Sequence, residues 1–277
     1  MGRLSGKVSL VAGATRGLGE AIAIEMAKEG ANVAVTGRSR EGGQRVAKAI
    51  RDAGGEAKYF FLDLADEKSV ETCVNDVVAH YGALHVLVNN AAPTDHVTGA
   101  THDMDGKLVD KADGKVADMT TERWRKVLTP GLDGLFWAMK YSIPEMQKAG
   151  KGSIVNISST ASLLGIAHAD AYTAIKGAMN AMTRSVAVSY APHIRVNTVV
   201  AGPFRTAGLA PVVANPKVKA AFLETICADD IAVPSAIAPA VIFFASDESY
   251  YVTGQLLGCD GGLSIKMAIP TFSLAEY

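Results

Sequence analysis

The chain has 277 residues, a mass of 28.9 kDa and a formal net charge of -1 at pH 7. The near-neutral charge and the lack of a cluster of basic residues along the sequence argue against nucleic acid as a partner. Hydrophobic residues make up 49% of the sequence, enough for a sheet buried on both faces, but no apolar run reaches the ~18 residues needed to cross a bilayer. Cys73, Cys227 and Cys259 are widely spaced, and the N-terminus lacks a signal-peptide pattern. These features favour reduced thiols in a cytoplasmic protein.

Strands and helices alternate through the first third of the chain. The sequence predicts strands at residues 7–12, 31–36, 58–62 and 84–88, and helices at residues 20–28, 40–53 and 67–81. Alternation of this kind predicts parallel strands joined by right-handed crossovers.

Residues 93–123 interrupt the alternation. Asp105-Gly-Lys-Leu-Val-Asp110 and Asp113-Gly-Lys-Val-Ala-Asp118 repeat the same pattern eight residues apart. Two Asp-Gly turn signals predict a small solvated hairpin or a lid-like excursion. The density of aspartates also fits calcium, but the order of the calcium-loop motif and its closing glutamate are not met. The sequence therefore favours a hairpin over a metal site.

The alternation resumes at Trp124. The sequence predicts helices at residues 124–149, 171–191 and 235–245, strands at 153–157, 195–200 and 255–259, and an excursion at 203–234. No linker or low-complexity stretch divides the chain. We therefore predict one domain over residues 1–277, a Rossmann-like doubly wound α/β fold whose parallel sheet is flanked by helices, with a tail at 263–277.

A glycine-rich turn follows the first predicted strand. Gly13, Gly17 and Gly19 form G-x-x-x-G-x-G between a strand and a helix. Glycine lets a pyrophosphate approach the backbone, and the helix N-terminus offers free N–H groups and positive dipole charge. At the first βα turn of an alternating chain, this motif predicts dinucleotide binding.

The residues at the end of the second predicted strand indicate which dinucleotide the chain binds. An acidic residue there would suit a free ribose 2′-hydroxyl, but the chain has Arg38 and Ser39, with Arg16 in the glycine loop. Arginine forms bidentate charge-assisted bonds with phosphate. The sequence favours NADP(H) over NAD(H), although both arginines could also be ordinary surface residues.

Tyr172 and Lys176 form the candidate catalytic pair. Four residues is about one helical turn, so both side chains lie on one helix face. A nearby ammonium favours the phenolate, and we expect Lys176 to lower the pKa of Tyr172. The preceding apolar run, residues 152–158, reads as a buried strand that delivers Ser159 to the same sheet edge. A hydroxyl beside the phenol would complete a site that binds a carbonyl oxygen and gives it a proton.

Nearly the whole chain resembles the short-chain dehydrogenase/reductase family. Five patterns of the family have counterparts here. T-G-x-x-x-G-x-G matches Ala12 to Gly19, N-N-A-G matches Asn89-Asn90-Ala91-Ala92, and the family's serine, tyrosine and lysine match Ser159, Tyr172 and Lys176. N-x-V-x-P-G-x-x-x-T matches Asn197 to Thr206, and D-G-G matches Asp260-Gly261-Gly262. Three positions depart from these patterns: Ala12 replaces threonine, Ala92 replaces glycine and Ala201 replaces proline.

The resemblance implies roles for the matched residues. Ser159 would polarise the substrate oxygen, Tyr172 would be the acid/base, and Lys176 would bind the nicotinamide ribose. Asp63 and Asn90 would border the adenine pocket, and Thr206 would contact the nicotinamide carboxamide. The full expected cofactor set is Gly13, Thr15, Arg16, Gly17, Leu18, Gly19, Arg38, Ser39, Asp63, Leu64, Asn90, Ala91, Tyr172, Lys176, Gly202 and Thr206.

One further departure falls on the helix before the serine strand. The family often has an asparagine there, and this chain has Gly131 after Pro130. That asparagine is thought to hold a relay water through its backbone carbonyl and to brace the site with its side chain. Gly131 keeps the carbonyl and loses the side chain, and Pro130 should kink the helix.

Two functions follow as hypotheses. The first is an NADP(H)-dependent carbonyl reductase or alcohol dehydrogenase that transfers a hydride between the nicotinamide and a ketone or secondary alcohol. The alternative is a dinucleotide-binding sensor or scaffold whose catalysis is impaired at Gly131. The apolar segment 203–234 suits a hydrophobic substrate or packing against other residues equally well. His96, His102 and His168 could line the pocket mouth. The resemblance also implies a homotetramer or dimer.

Overall fold

A computed structural model describes residues 2–91 and 113–267. Its centre is a seven-stranded sheet in the order β3-β2-β1-β4-β5-β6-β7, in which all neighbouring pairs are parallel. The strands are β1 (Val8–Ala12), β2 (Asn32–Gly37), β3 (Glu56–Phe61), β4 (Val86–Asn89), β5 (Gly152–Ser159), β6 (Ile194–Ala201) and β7 (Leu256–Cys259). The predicted doubly wound α/β fold is confirmed.

Helices connect the strands and cover both faces of the sheet. They are α1 (Gly17–Lys28), α2 (Arg40–Asp52), α3 (Glu67–Tyr81), α4 (Thr121–Leu128), α5 (Gly134–Lys148), α6 (Asp170–Ser189), α7 (Ala210–Val213), α8 (Pro216–Thr225) and α9 (Ala238–Ala245). Among the described residues, no helix is both long and apolar enough to cross a membrane.

The core has two layers because successive side chains of a strand point to opposite faces. In β4, Val86 and Val88 pack in the layer that contains α1, α2 and α9 side chains. Leu87, between them, packs in the layer that contains α3, α5 and α6 side chains. These valine- and leucine-rich strands are buried on both sides, as expected for a parallel sheet covered by helices.

The single helix predicted over residues 124–149 is interrupted. The chain forms α4, then a π-helical segment at Thr129–Asp133, then α5. Proline has no backbone N–H, so the regular hydrogen-bond ladder cannot continue through Pro130. The irregularity expected at Pro130 is therefore present, in the form of a π-helical turn.

Two excursions differ from their predictions. Residues 203–234 contain α7 and α8, and Asn215 caps α8 by accepting a hydrogen bond from the Lys217 amide at 3.0 Å. Most of the hairpin predicted within 93–123 lies outside the described residues. Its described end is a short 3₁₀ turn at Val116–Asp118, and Asp113 is only 2% exposed. In this part the predicted hairpin is wrong, since the chain forms a 3₁₀ turn; the predicted exposure is confirmed for residues 115–118 and wrong for Asp113.

Candidate active site

The predicted site residues gather at the carboxyl ends of the strands. From β1, the chain adds β2 and β3 on one side of the sheet and then β4 to β7 on the other side. In a doubly wound sheet, this change of side places the ligand-binding crevice between β1 and β4. The glycine loop follows β1 and Asn90 follows β4. Ser159 ends β5, and Tyr172 and Lys176 lie in the first two turns of α6.

The Ser159 hydroxyl lies close enough to the Tyr172 phenol to oppose a rise in the pKa of that phenol. The neighbouring Ser158 has a different role, because its hydroxyl donates to the backbone carbonyl of Lys176 at 3.3 Å. The alternation of side chains along β5 separates the two serines. Of the two, only Ser159 presents its hydroxyl to the phenol.

Lys176 lies in the interior with a 2% exposed side chain. Its Nζ donates to the carbonyl oxygen of Ile157 at 2.7 Å and lies 5.6 Å from the centroid of the Tyr172 ring. Burial disfavours the ammonium form and lowers the pKa of Lys176 to about 8.

The pKa of Tyr172 departs from its expected direction. Burial raises the pKa of the phenol above its ordinary value of 10.0, and the Ser159 hydroxyl opposes this rise. The prediction that Lys176 lowers the pKa of Tyr172 is therefore wrong for this structure. The reason is that burial of the phenol itself has the largest effect on its pKa, while Lys176 Nζ donates to a backbone carbonyl and lies 5.6 Å from the centroid of the ring.

A buried polar network fixes α6 to the sheet. The Asn89 amide donates to Asn156 Oδ1 at 2.9 Å, and the Asn156 amide donates to Thr183 Oγ1 at 2.8 Å. Thr183 Oγ1 lies 2.7 Å from Thr198 Oγ1 and donates to the carbonyl of Met179 at 2.9 Å. The network joins β4, β5 and β6 to the helix that carries Tyr172 and Lys176. Sequence reasoning missed it.

Gly131 packs against α6, the helix that carries Tyr172 and Lys176. A Cβ added at Gly131 would lie 2.4 Å from Ile175 Cδ1 and 3.1 Å from two other atoms of the Ile175 side chain. Ile175 is 1% exposed and lies in the same helix, one position before Lys176 in the sequence. The space beside Gly131 is therefore taken by Ile175. A cavity of about 10 Å³ remains, lined by Leu64, Asn89, Ala91, Pro130, Gly131, Leu135 and Met179, at the lower limit for one water molecule.

The glycine loop has the geometry of an anion site. A Cβ at Gly19 would lie 2.1 Å from the Gly13 carbonyl oxygen and 2.5 Å from the Asn90 amide, and Gly17 has φ 65°. The Asn90 side chain donates to the Gly13 carbonyl at 3.0 Å. The side chain of Arg16, the residue before α1, does not cap this helix, and the first amides of a helix can bind an anion.

Arg45 supports this loop from α2 and was not predicted. Its two terminal nitrogens contact the two Glu20 carboxylate oxygens at 2.6 and 2.7 Å, and Nη2 also donates to the Thr15 carbonyl at 3.3 Å. Glu20 lies in the first turn of α1, directly after the glycine motif. A carboxylate at this position could have indicated that a basic residue pairs with it.

Arg38 and Ser39 lie exposed where β2 meets α2. The Ser39 hydroxyl caps α2 by accepting from the Gly42 amide at 3.1 Å. It retains its O–H donor, and the helix N-terminus adds positive dipole charge. Arg16 is also exposed, in the glycine loop. The donor set around β2 therefore fits a phosphate monoester.

The remaining predicted cofactor residues occupy neighbouring loops. Asp63 and Leu64 follow β3, and Asp63 Oδ1 accepts from the Ala65 amide at 3.0 Å. The Ala91 amide donates to the Ala12 carbonyl at 2.9 Å. Leu18 packs against the core. Gly202 follows β6, and a Cβ added at Gly202 would lie 2.5 Å from Asp260 Cα. Thr206 lies near the glycine loop, since a Cβ added at Gly17 would lie 3.8 Å from Thr206 Cγ2. Ala92 lies outside the described residues.

The most prominent residue that sequence reasoning misread is Asp113. Its Oδ1 accepts from the Gly114 amide at 2.8 Å and the Ala171 amide at 3.0 Å, and its Oδ2 accepts from the Tyr172 amide at 2.9 Å. The Asp-Gly dipeptide was interpreted as an exposed turn signal. Asp113 caps the helix at Ala171 and Tyr172, which lie 58 and 59 positions later in the chain. A contact over this distance leaves no local pattern in the sequence.

The segment at 203–234 is only partly available to a substrate. Phe204, Val213 and Ile226 are buried, whereas Val212 is 44% exposed. A cavity of about 200 Å³ lies beneath the segment, lined by residues including Pro203, Phe204, Ile226, Asp230, Cys259 and Asp260. His168 is exposed and has φ 63°. His96 and His102 lie outside the described residues.

The strand order and the glycine loop at the switch point define the chain as a doubly wound α/β protein of the dinucleotide-binding type. Residues 13–264 match the family described as Enoyl-(Acyl carrier protein) reductase. The chain belongs to the short-chain dehydrogenase/reductase family, whose oxidoreductases bind NAD or NADP.

Three related proteins illustrate this membership. A 7alpha-hydroxysteroid dehydrogenase of Clostridium sardiniense is 33% identical over 278 residues, which cover 100% of this chain and 99% of that protein. A cyclopentanol dehydrogenase of a Comamonas species is 34% identical and covers 95% and 98%. The crystal structure of a gluconate 5-dehydrogenase from Burkholderia cenocepacia, in complex with NADP and tartrate, has a TM-score of 0.83 at 27% identity and covers 96% and 98%.

Proposed function

We propose that the chain is an NADP(H)-dependent carbonyl reductase or alcohol dehydrogenase in which Tyr172 is the acid/base. The observation that carries the proposal is the convergence of the Ser159 hydroxyl and the Tyr172 phenol, beside the buried Lys176 at the carboxyl edge of the sheet. A hydroxyl and a phenol that converge in this way can both donate to one carbonyl oxygen. When bound, the nicotinamide of NADP(H) supplies or accepts the hydride.

The chain's own residues would handle the substrate oxygen and the proton. Ser159 would hold the oxygen by a hydrogen bond, and Tyr172 would donate its phenolic proton to that oxygen during reduction and accept it during oxidation. The raised pKa of Tyr172 keeps the phenol protonated at neutral pH. This protonation state suits an acid in ketone reduction and predicts that oxidation of the alcohol requires alkaline pH.

Several residues fit the cofactor. The uncapped first turn of α1 and the close approach of Gly13, Gly19 and Asn90 suit a pyrophosphate. Arg38, with Arg16 as a second guanidinium, would bind a 2′-phosphate, which supports NADP(H) over NAD(H). Lys176 would donate to the nicotinamide ribose.

For the substrate, we propose a hydrophobic, cyclic ketone or secondary alcohol. The apolar segment 203–234 and the names of two relatives, which specify a hydroxysteroid and cyclopentanol, support this class. A sensor or scaffold without catalysis is not favoured, because the catalytic serine, tyrosine and lysine are all present and the relatives are named dehydrogenases. The homotetramer or dimer implied by the family stays a prediction.

The test combines binding with turnover. NADPH and NADH are titrated against the protein, and nicotinamide absorbance is then followed with a panel of cyclic and aryl ketones. We expect tighter binding of NADPH and ketone-dependent oxidation of it. Tyr172→Phe, which removes only the hydroxyl, should reduce kcat by roughly 10²- to 10⁴-fold while NADPH still binds. Tighter binding of NADH would contradict the role of Arg38, and binding without turnover of any ketone or alcohol would contradict the enzymatic proposal.

A further inference from the structure

Asp113 reaches the catalytic tyrosine from a distant part of the chain. Its carboxylate is 2% exposed, and both oxygens accept hydrogen bonds from backbone amides at the start of α6. The first amides of a helix have no partner within the helix. A carboxylate at this position both satisfies them and interacts favourably with the helix dipole. Ala169, the residue before α6, provides no side-chain cap, so Asp113 performs this function.

Tyr172 is consequently held through its backbone, and its phenol faces Ser159. The backbone amide of Tyr172 donates to Asp113 Oδ2 at 2.9 Å, and the phenol lies beside the Ser159 hydroxyl at the end of β5. The first contact fixes where the side chain leaves the helix, and Ser159 marks where the phenolic oxygen must arrive. Both are needed to define the position of the reactive oxygen, because a side chain with rotatable bonds can swing about a loosely held backbone.

A second aspartate in the same region makes a different contact. Asp170, the first residue of α6, accepts a hydrogen bond from the Val116 amide at 2.9 Å through its Oδ2. Asp170 therefore attaches the segment after Asp113 to the helix, whereas Asp113 attaches the helix itself at Tyr172. The two residues belong to one contact region and differ in which backbone they hold.

We infer that Asp113 is a positioning residue for Tyr172: it holds the first turn of α6 so that the phenol meets Ser159 and the substrate oxygen. The catalytic part of this inference rests on the proposed function. A displacement of about 1 Å of a catalytic group can cost roughly 10²-fold in rate. The loss should appear in kcat, because the Asp113 carboxylate contacts the backbone amide of Tyr172 and, among the described residues, has no hydrogen bond to the other expected cofactor residues or to the segment 203–234.

The kinetic experiment compares Asp113→Ala and Asp113→Asn with Asp170→Ala. We expect Asp113→Ala to lower kcat by roughly ten- to a hundredfold, with KM for the ketone and Kd for NADPH changed less than about threefold. Asp113→Asn keeps the volume and one acceptor oxygen, so its kcat should lie between those of wild type and Asp113→Ala, even if the alanine variant folds poorly. Asp170→Ala should retain kcat. Equal losses of kcat in Asp113→Asn and Asp170→Ala would overturn the inference.

A spectroscopic experiment decides the positioning without turnover. The chain has eight tyrosines, and the Tyr172 signal in protein labelled with ¹³C at tyrosine Cζ is the one missing from Tyr172→Phe. We expect Asp113→Asn to shift or broaden this signal and Asp170→Ala to leave it in place. An unchanged Tyr172 signal in Asp113→Asn would refute the inference whatever the activity. Absence of turnover in the wild type, with the expected shift, would refute the proposed function alone.

Discussion

The two ends of the candidate site differ in their exposure to solvent. At the tyrosine end, Lys176 and Asp113 are each 2% exposed, and polar groups there bond to backbone at short distances. At the other end, which is the proposed phosphate site, Arg16, Arg38 and Ser39 are exposed to solvent. In the proposed function, proton transfer would therefore take place where burial shifts pKa values, whereas recognition of the 2′-phosphate would take place where charge is screened by water and salt.

The largest expected effect comes from the buried end and concerns the pH dependence of stability. Folding lowers the pKa of Lys176 from 10.5 to about 8. Between these values the unfolded chain binds more protons than the folded chain, so the contribution of Lys176 to stability rises with pH, by up to about 3 kcal/mol in total. Below pH 8 both states hold the proton and the burial of the charge is most costly.

Urea unfolding of the wild type and Lys176→Met measures this contribution. Other groups titrate equally in both proteins, so the difference between their unfolding free energies isolates Lys176. We expect the difference to shift in favour of the wild type by about 2 kcal/mol from roughly pH 7.5 to 9.5. A difference that is constant over this range would show that Lys176 keeps its ordinary pKa in the folded protein.

A smaller effect, of about 2 kcal/mol, is expected at Gly131. Gly131→Asn restores the family's usual residue but adds a Cβ that would lie 2.4 Å from Ile175 Cδ1. Overpacking of this kind lowers the free energy of unfolding by about 1–3 kcal/mol. Thermal or urea unfolding should therefore report Gly131→Asn as destabilised, although it reinstates a common family feature.

The second variant, Ile175→Ala, removes the side chain that fills the space. In the double variant the two changes should compensate, with a coupling free energy of about 1–3 kcal/mol relative to the sum of the single variants. Gly177→Ala is a matched control, because a Cβ there meets no atom within 4 Å and should be neutral or stabilising. Strictly additive effects at Gly131 and Ile175 would contradict the packing argument.

The smallest effect is expected at the exposed end. Arg38→Ala should weaken NADPH binding roughly tenfold at low ionic strength, because one charge-assisted contact with the phosphate is lost. NADH binding should change less than about twofold. The tenfold difference should shrink as salt is added, because the site is open to solvent.

Arg184→Ala provides the matched control for this experiment, since Arg184 is an exposed arginine on the outer surface of α6. It removes the same charge from the chain without touching the β2–α2 junction. If Arg38→Ala weakens NADH and NADPH binding by the same factor, Arg38 supports the loop and does not read the 2′-phosphate.

Much of the fold could be predicted from the sequence because its signals are local. Alternating apolar runs and glycine-bounded helices gave the parallel sheet, and the spacing of Tyr172 and Lys176 placed both on one helix face. The capping residue Asn215 followed by Pro216 was also a readable helix start, and α8 could have been predicted from it.

The rest depends on contacts between distant residues. Asp113 lies next to a glycine and resembles a turn residue, yet it caps a helix that begins 57 positions later at Asp170. The direction of the Tyr172 pKa follows from a balance of burial and hydrogen bonding that spacing cannot express. The family resemblance selected Ser159 over Ser158, but the contact of the Ser158 hydroxyl with the Lys176 carbonyl is visible only in the structure.

The polar network beneath α6 constrains how the chain can diverge. Asn89, Asn156, Thr183 and Thr198 are each at most 5% exposed, and the hydrogen bonds described above link them in series. Loss of one member leaves a buried donor or acceptor unsatisfied on its neighbour, at a cost of about 1–3 kcal/mol. Substitutions here should therefore be epistatic, because the cost of a change at one position falls when its hydrogen-bond partner changes with it. The four positions should evolve as one unit, at a pace set by paired mutations.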